Sequence, residues 1–448
     1  MIKMQLKKRS RSPLFASALA LGLGVMQNVS ATDTQFGVTL GVGETDNIRR
    51  TPTDPIDETI ASVGVDASIF QDAKHLYVDV LADLSYLDYL NNTYEREVVG
   101  NLDAQLNLRM VPGRFEWLFQ DNFGQVRSDP FTPVTPESRE NINYFTTGPD
   151  ATIAFGTQSR LRVLARYSNV NYETSLVDND RYGAGAAFIR EMSPVSFLSL
   201  NVQGERVAYR QVSDSDYDSQ RAFVRYRLSG SRSEATVEVG YNQLQFEDDT
   251  KNGGALFRLD YTRKVSAAST ISVNAVHEYT DSSANFRTLQ SPGSGTDSAA
   301  VVQGSNPYQH TDGGLAWRFA KQRTGFGVGV TYSKEDYQVN DAQDRERAAA
   351  NINFTRRLTS SIAAYLAGDF SREEYVNTAD RFDELVGTVR LTWQMARKLS
   401  TEISYQYFDR TSATSIGAYK ENRAWLQLRY GTARIPLEAR TTQPAESW

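Results

Sequence analysis

The chain has 448 residues, of which 40% are hydrophobic, 11% aromatic and 23% charged. It has no cysteine, which excludes disulfides, a thiol nucleophile and a Cys-bound metal, and its three histidines leave little material for a His-based site. With 48 Lys+Arg against 54 Asp+Glu the net charge is -6, which argues against nucleic acid as a partner.

The N-terminus reads as an address. Lys3, Lys7, Lys8, Arg9 and Arg11 form a basic stretch without an acid, followed by an apolar run at 14–26 that is too short to span a bilayer. Val29-Ser30-Ala31 fits the small-x-small cleavage pattern, so residues 1–31 are predicted to be a cleaved signal peptide with Thr32 beginning the mature protein. Beyond it no run of about 18 apolar residues occurs, which excludes membrane-spanning helices.

From there the pattern has period two. Leu102, Ala104, Leu106, Leu108 and Met110 alternate with Asn101, Asp103, Gln105, Asn107 and Arg109; Ala222, Val224, Tyr226 and Leu228 alternate with Arg221, Phe223, Arg225 and Arg227. Alternation at 180° per residue means strands with one apolar and one polar face. In chain order the segments are 34–44, 57–70, 74–89, 95–110, 113–126, 140–156, 158–172, 180–190, 195–209 and 217–228. They continue at 232–246, 252–264, 268–281, 310–320, 323–337, 344–357, 360–375, 381–395, 399–411 and 419–431. Most exceed the five or six residues usual in soluble strands and match a tilted bilayer crossing.

The connections alternate as well. One set is short and basic, such as Arg263-Lys264-Val265-Ser266, Arg356-Arg357-Leu358-Thr359 and Arg397-Lys398-Leu399-Ser400. The other is longer and rich in Asp, Ser, Asn and Pro, as at 128–139, 213–218 and 282–309. Short turns on one side and long loops on the other describe an outer-membrane barrel with its short turns in the periplasm. The predicted fold is therefore all-β: a single antiparallel transmembrane β-barrel of about 18–20 strands over residues 32–431. A short polar tail, 432–448, follows it. A barrel also meets the rule that backbone groups in hydrocarbon must be paired. The apolar rows face lipid, since the reverse would place Arg225 and Arg227 there at about 2–4 kcal/mol each near the midplane. Val224→Arg is accordingly expected to impair assembly and Arg225→Val to be tolerated.

The inward rows supply the candidate site. Asp79, Asp83, Asp103, Arg109, Arg162, Arg166, Glu205, Arg221, Arg225, Arg227, Glu234, Glu238, Arg258, Asp260, Glu278, Arg390, Glu402 and Arg429 are the lumen-lining candidates. Tyr77, Phe223 and Trp425 share their parity. Twenty tilted strands enclose roughly 40 Å, too wide for side chains to fill. The loop 127–140, stiffened by Pro130, Pro133 and Pro136, is the expected constriction, with Asp129, Glu137, Arg139 and Glu140 as its polar residues. The loop 282–309 competes with it and suits a lid better. Asp214, Asp216 and Asp218, like Glu247, Asp248 and Asp249, could meet Ca²⁺ or Mg²⁺, but both read as solvated acidic loops without a glycine-bearing binding loop. His75, His277 and His310 sit too far apart in the pattern to converge. No catalytic residue, metal or cofactor is expected, and no enzyme activity.

The first strand begins within a few residues of Thr32, which leaves no room for an N-terminal plug. The strand–basic turn–strand stretches at 256–281 and 351–375 resemble those of porin-like outer-membrane barrels that accompany exopolysaccharide gene clusters in Proteobacteria. That resemblance implies a Gram-negative outer-membrane location and a role in exporting or anchoring a polysaccharide. The implied partners are outer-membrane lipid and lipopolysaccharide, a polysaccharide and periplasmic export proteins. Three functions remain open: a polysaccharide-secretion channel, a general diffusion porin, and a structural or adhesive surface barrel.

Overall fold

The computed structural model describes residues 33–432 except 213–214, 291–300, 340, 379 and 414–416. The signal peptide and all but Thr432 of the C-terminal tail lie outside the described residues. Twenty antiparallel strands form one sheet. They are β1 (Asp33–Thr45), β2 (Glu58–Asp72), β3 (Leu76–Tyr89), β4 (Glu97–Val111), β5 (Phe115–Arg127), β6 (Arg139–Phe155) and β7 (Ser159–Tyr172). Next come β8 (Asn179–Ser193), β9 (Ser196–Tyr209), β10 (Tyr217–Ser229), β11 (Ser233–Phe246), β12 (Lys251–Ser266) and β13 (Ser269–Thr280). A helix, α1 (Ser282–Gln290), then precedes β14 (Tyr308–Lys321), β15 (Thr324–Tyr337), β16 (Arg345–Arg357) and β17 (Ile362–Tyr375). The set ends with β18 (Arg381–Ala396), β19 (Leu399–Ser412) and β20 (Tyr419–Gly431).

Each strand pairs with its sequence neighbours, and β20 returns to β1 from Gly37↔Gly431 to Thr45↔Arg423. The sheet is therefore a closed barrel without a free edge, as burial of backbone in hydrocarbon requires. Strand lengths run from 12 residues in β13 to 17 in β6, and every segment read from the sequence coincides with one strand to within a few residues. On one end the connections have two to four residues, for example 194–195 and 358–361. On the other they have from four, at 247–250, to 27, at 281–307. The 112–114 turn shows how a short one closes. Pro112 fixes its own φ, Gly113 takes φ +72°, and the Arg114 amide donates to the Val111 carbonyl at 2.9 Å, the geometry of a type II turn.

The alternation sorts the two faces. Outward residues such as Leu200, Val202, Val224 and Val239 are 41–57% exposed, an apolar band that belongs in lipid. Tyr86, Tyr182, Tyr241 and Tyr332 ring that band toward the long loops; Phe155, Trp317, Phe354, Trp393 and Tyr430 ring it toward the short turns. The buried apolar clusters lie inside the long-loop end, where loops meet the inner wall.

Candidate functional site

Every lumen-lining candidate stands on the inward row of its strand, and register brings many of them together as ion pairs. Arg225 of β10 lies opposite Glu238 of β11, with Nε 2.6 Å from Oε1. Arg258 meets Glu278 at 2.6 Å, Arg162 meets Asp150 at 2.5 Å, Arg429 meets Asp66 at 2.7 Å and Arg390 meets Glu402 at 3.1 Å. Arg166 also reaches Asp150, at 3.5 Å, and Arg109 meets Asp72 at 2.6 Å. Asp103 accepts from Asn122 and Asp79 from Tyr77. Arg227, Glu234 and Asp260 continue the rows toward the short turns, and Glu205, Arg221 and Asp83 those of β9, β10 and β3. Several guanidinium groups lie over inward rings: Arg225 over Phe223 at 5.4 Å, Arg390 over Tyr365 at 5.3 Å and Arg109 over Tyr77 at 5.8 Å.

This geometry changes one expectation. Arg225 and Glu238 have side chains only 14% and 6% exposed, so they are not the solvated pair that made Arg225→Val look harmless. Removing the cation would leave a buried carboxylate without its paired charge, a cost that the nearby charge of Arg258 offsets in part.

At the long-loop end two connections are pinned to the inner wall by their described residues. The β13–β14 connection turns inward, and Phe286 of α1 is fully buried among Val126, Ile142, Tyr144, Val170 and Tyr172 of β5–β7. Asp281 caps the helix by accepting from the Ser283 and Ala284 amides. The same carboxylate takes two bonds from Arg181 of β8, at 2.9 and 2.6 Å, and one from the Tyr217 hydroxyl at 2.6 Å. Burial pushes the Asp281 carboxyl up, but Arg181, Tyr217 and the Ala284 amide outweigh it and hold the group at about 2. Further on, the Arg127 amide donates to the Val301 carbonyl at 2.9 Å and the Gln303 amide to the Arg127 carbonyl at 2.8 Å.

The 128–138 connection reaches that wall at β17. Phe131 packs on Tyr375 with ring centroids 4.7 Å apart. Arg127 donates to Glu373, which also accepts from Arg345 at 2.8 Å, while Arg345 makes two 2.8 Å bonds to Glu335. Arg50, from the first long loop, donates to the Val134 carbonyl at 3.0 Å and to Glu421 at 2.8 Å.

The constriction candidates divide accordingly. Asp129 accepts from the Phe131 amide within its own turn, and Glu137 is exposed. Arg139 and Glu140 belong to β6 rather than to the loop. Arg139 is held by Glu97 at 2.5 Å, and Glu140 accepts from Thr174 and Ser175 and fixes the β7–β8 loop. The described parts of the 282–309 connection are packed into the wall, not poised as a free lid. The residues that pin the mouth (Arg181, Asp281, Arg345, Glu335, Glu373) were not singled out in the sequence. The one local signal was Asp281 ahead of Ser282-Ser283-Ala284, an N-cap pattern.

The other polar stretches are structural. Arg206 faces Asp216, Asp218 and Glu247 at 3.3–3.8 Å, so a cation of the chain already answers those acids; Asp214 lies outside the described residues. His75 Nδ1 bonds the Arg109 carbonyl oxygen. His277 bonds Thr311 on the outward face, whereas His310 is on the inward face beside Glu278.

The chain is a closed 20-stranded antiparallel β-barrel that resembles outer-membrane barrels. Residues 309–431, from the second residue of β14 to the end of β20, match the family model described as "Putative beta-barrel porin 2". Among solved structures the chain is similar to the siderophore receptor PirA from Pseudomonas aeruginosa (10% identity, 90% of this chain and 81% of that one, TM-score 0.47). It is similar also to the FrpB iron transporter from Neisseria meningitidis (10%, 89% and 82%, TM-score 0.44). A third is a loop-deletion mutant of OmpT, an outer membrane protein of Vibrio cholerae (10%, 90% and 100%, TM-score 0.36). No curated protein matches the chain.

Proposed function

We propose that this barrel is an outer-membrane channel for exopolysaccharide, with its short turns in the periplasm and its long-loop mouth at the cell surface. The observation that carries the reading is the inner wall: paired charges interleaved with rings such as Tyr77, Phe223 and Tyr365. Paired charges keep such a wall hydrated without fixing a small ion, and flat rings give sugar faces something to slide over. The pinned loops supply a closed resting state, which a channel of this width needs to avoid leakage.

The experiment compares the intact chain with a variant in which 282–306 are replaced by a short Gly-Ser link. In planar bilayers the variant is expected to conduct far more than the intact chain, and loss of the gene should abolish surface polysaccharide in the host. Free conductance by the intact chain with polysaccharide unaffected would favour a diffusion porin. No conductance by either protein would favour a structural barrel. Deleting 129–138 in the same assay tells how much of the closure belongs to the second loop.

A further inference from the structure

The basic turn pattern repeated at 261–266 and 354–359 has no part in the reading above. It falls on one sector of the short-turn rim. There the inward row of β12 carries Lys264, that of β14 Arg318 and that of β16 Arg357. Register sets the first two level, since Lys264 pairs with Thr270 and Thr270 with Arg318. Neighbouring strands lie about 4.8 Å apart, so Lys264 and Arg318 stand about 10 Å from each other; Arg357 lies four residues nearer the turn than Asn353, the β16 position level with Arg318. Among the described residues, none of the three meets a carboxylate. Lys264 and Arg318 are exposed, and the Nε of Arg357 is buried without an acceptor. The wall between them is low, built of Ala316, Gly325, Gly327 and Ala363 with the hydroxyls of Thr270 and Ser272.

The opposite sector of the same rim differs. Its inward cations Arg109, Arg160 and Arg162 each hold an acid (Asp72, Glu191 and Asp150) at 2.5–2.7 Å. The outward cations of the repeated turns differ again. Arg263 alternates with Tyr261 and Val265, and Arg356 with Phe354 and Leu358, so these two stand among apolar groups at the lipid face.

We infer that Lys264, Arg318 and Arg357 form an entry site for an acidic polysaccharide, one that presents repeated carboxylates to the short-turn end of the lumen. The inference rests on the polysaccharide-channel reading and names the class of polymer. Three like charges facing one conduit repel each other, and a neutral polymer would not relieve that repulsion. A uronate-type chain does so at each station, through charge-assisted bonds that Arg and Lys make with carboxylates. A cleft lined by one sign of charge also concentrates an oppositely charged ligand by about 10 to 10³.

The test uses the full chain in phosphatidylcholine nanodiscs, titrated with polygalacturonate and with dextran of equal length. Polygalacturonate should bind at least about tenfold more tightly than dextran. The triple variant Lys264→Gln/Arg318→Gln/Arg357→Gln should lose about that factor, and Arg263→Gln/Arg356→Gln should lose none. Equal binding of the two polymers overturns the inference. So does equal loss in the outward pair, which would assign the cations to lipid headgroups. Should the triple variant fail to fold, the unaltered chain decides: polygalacturonate binding must weaken steeply between about 0.1 and 1 M salt, where the screening length falls from about 10 to 3 Å. Salt-insensitive binding overturns the site. Conductance of the loop-replaced barrel without preference for polygalacturonate removes this inference and leaves the channel, whereas absence of conductance removes both.

Discussion

At the long-loop mouth Arg345 is 6% exposed and lies between Glu335 and Glu373, themselves 4% and 7% exposed. At the short-turn rim Lys264, Arg318 and Lys398 stand exposed, and among the described residues no carboxylate pairs with them. Both ends are made of the same residue types, and water makes the difference. A charge at the mouth has been taken out of solvent, and it is tolerated because an opposite charge and hydrogen bonds face it, as Glu335 and Glu373 face Arg345. A charge at the rim keeps its hydration and needs no such partner. Burial thus turns the mouth into a latch specific for one arrangement of loops, whereas the rim remains available to a ligand.

Substitutions should report this contrast in order of burial. The largest effect is expected for Arg345→Met, which leaves Glu335 and Glu373 buried without their shared cation; the loss should be about 3–5 kcal/mol. Urea unfolding of the refolded barrel measures it, and a loss under about 1 kcal/mol would mean that water reaches the mouth. A smaller effect is expected at the other pin. Asp281→Asn keeps the shape but removes the charge facing Arg181, at about 2 kcal/mol. Hydrogen exchange at the Arg127 and Gln303 amides reads it directly, because their acceptors exist only while the loop is docked.

Acid should act on the same pin. With its carboxyl held at about 2, against about 4 in an unfolded chain, Asp281 contributes its full stabilisation above about pH 4. It loses that contribution as pH falls through 2. Protection of those amides, taken relative to the intrinsic exchange rate at each pH, should therefore fall between pH 4 and 2 in the unaltered chain and stay level in Asp281→Asn. The smallest effect belongs to the rim. Asp72→Asn breaks a pair whose side chains are 55% and 28% exposed and should cost under about 1 kcal/mol. A larger loss there would abolish the distinction between the two ends.

The sequence made the barrel legible because its signal is repeated. Each strand carries five or more alternations, and the order of short basic and long acidic connections recurs down the chain. The inward parity of Arg225, Glu238, Arg258 and Glu278 followed from the same rows. Their partners did not, because a two-residue shift of register on a neighbouring strand would keep every face and exchange them. The mouth was less legible still. Arg181 and Asp281 are 100 positions apart, as are Arg127 and Glu373 at 246, and nothing local marks them as mates. Asp129, Glu137, Arg139 and Glu140 were singled out for their place beside the proline-rich loop, yet two of them proved to be wall residues, Arg139 paired with Glu97 of β4 and Glu140 holding the β7–β8 loop.

The sequence by itself determined that this chain is a barrel, which face of each strand meets lipid, and which connections are turns and which are loops. These properties are periodic and local, and a period of two can be satisfied in only one way once one face must be apolar. Only the tertiary structure decided where the loops go and which charges are buried. Those depend on the curvature that brings β5–β7 within reach of the end of β13, and on the loss of water where α1, 301–303 and the 128–138 connection pack against the inner wall. Burial is a property of what covers a residue, and the residues that cover Asp281 and Glu373 lie far from them in the chain.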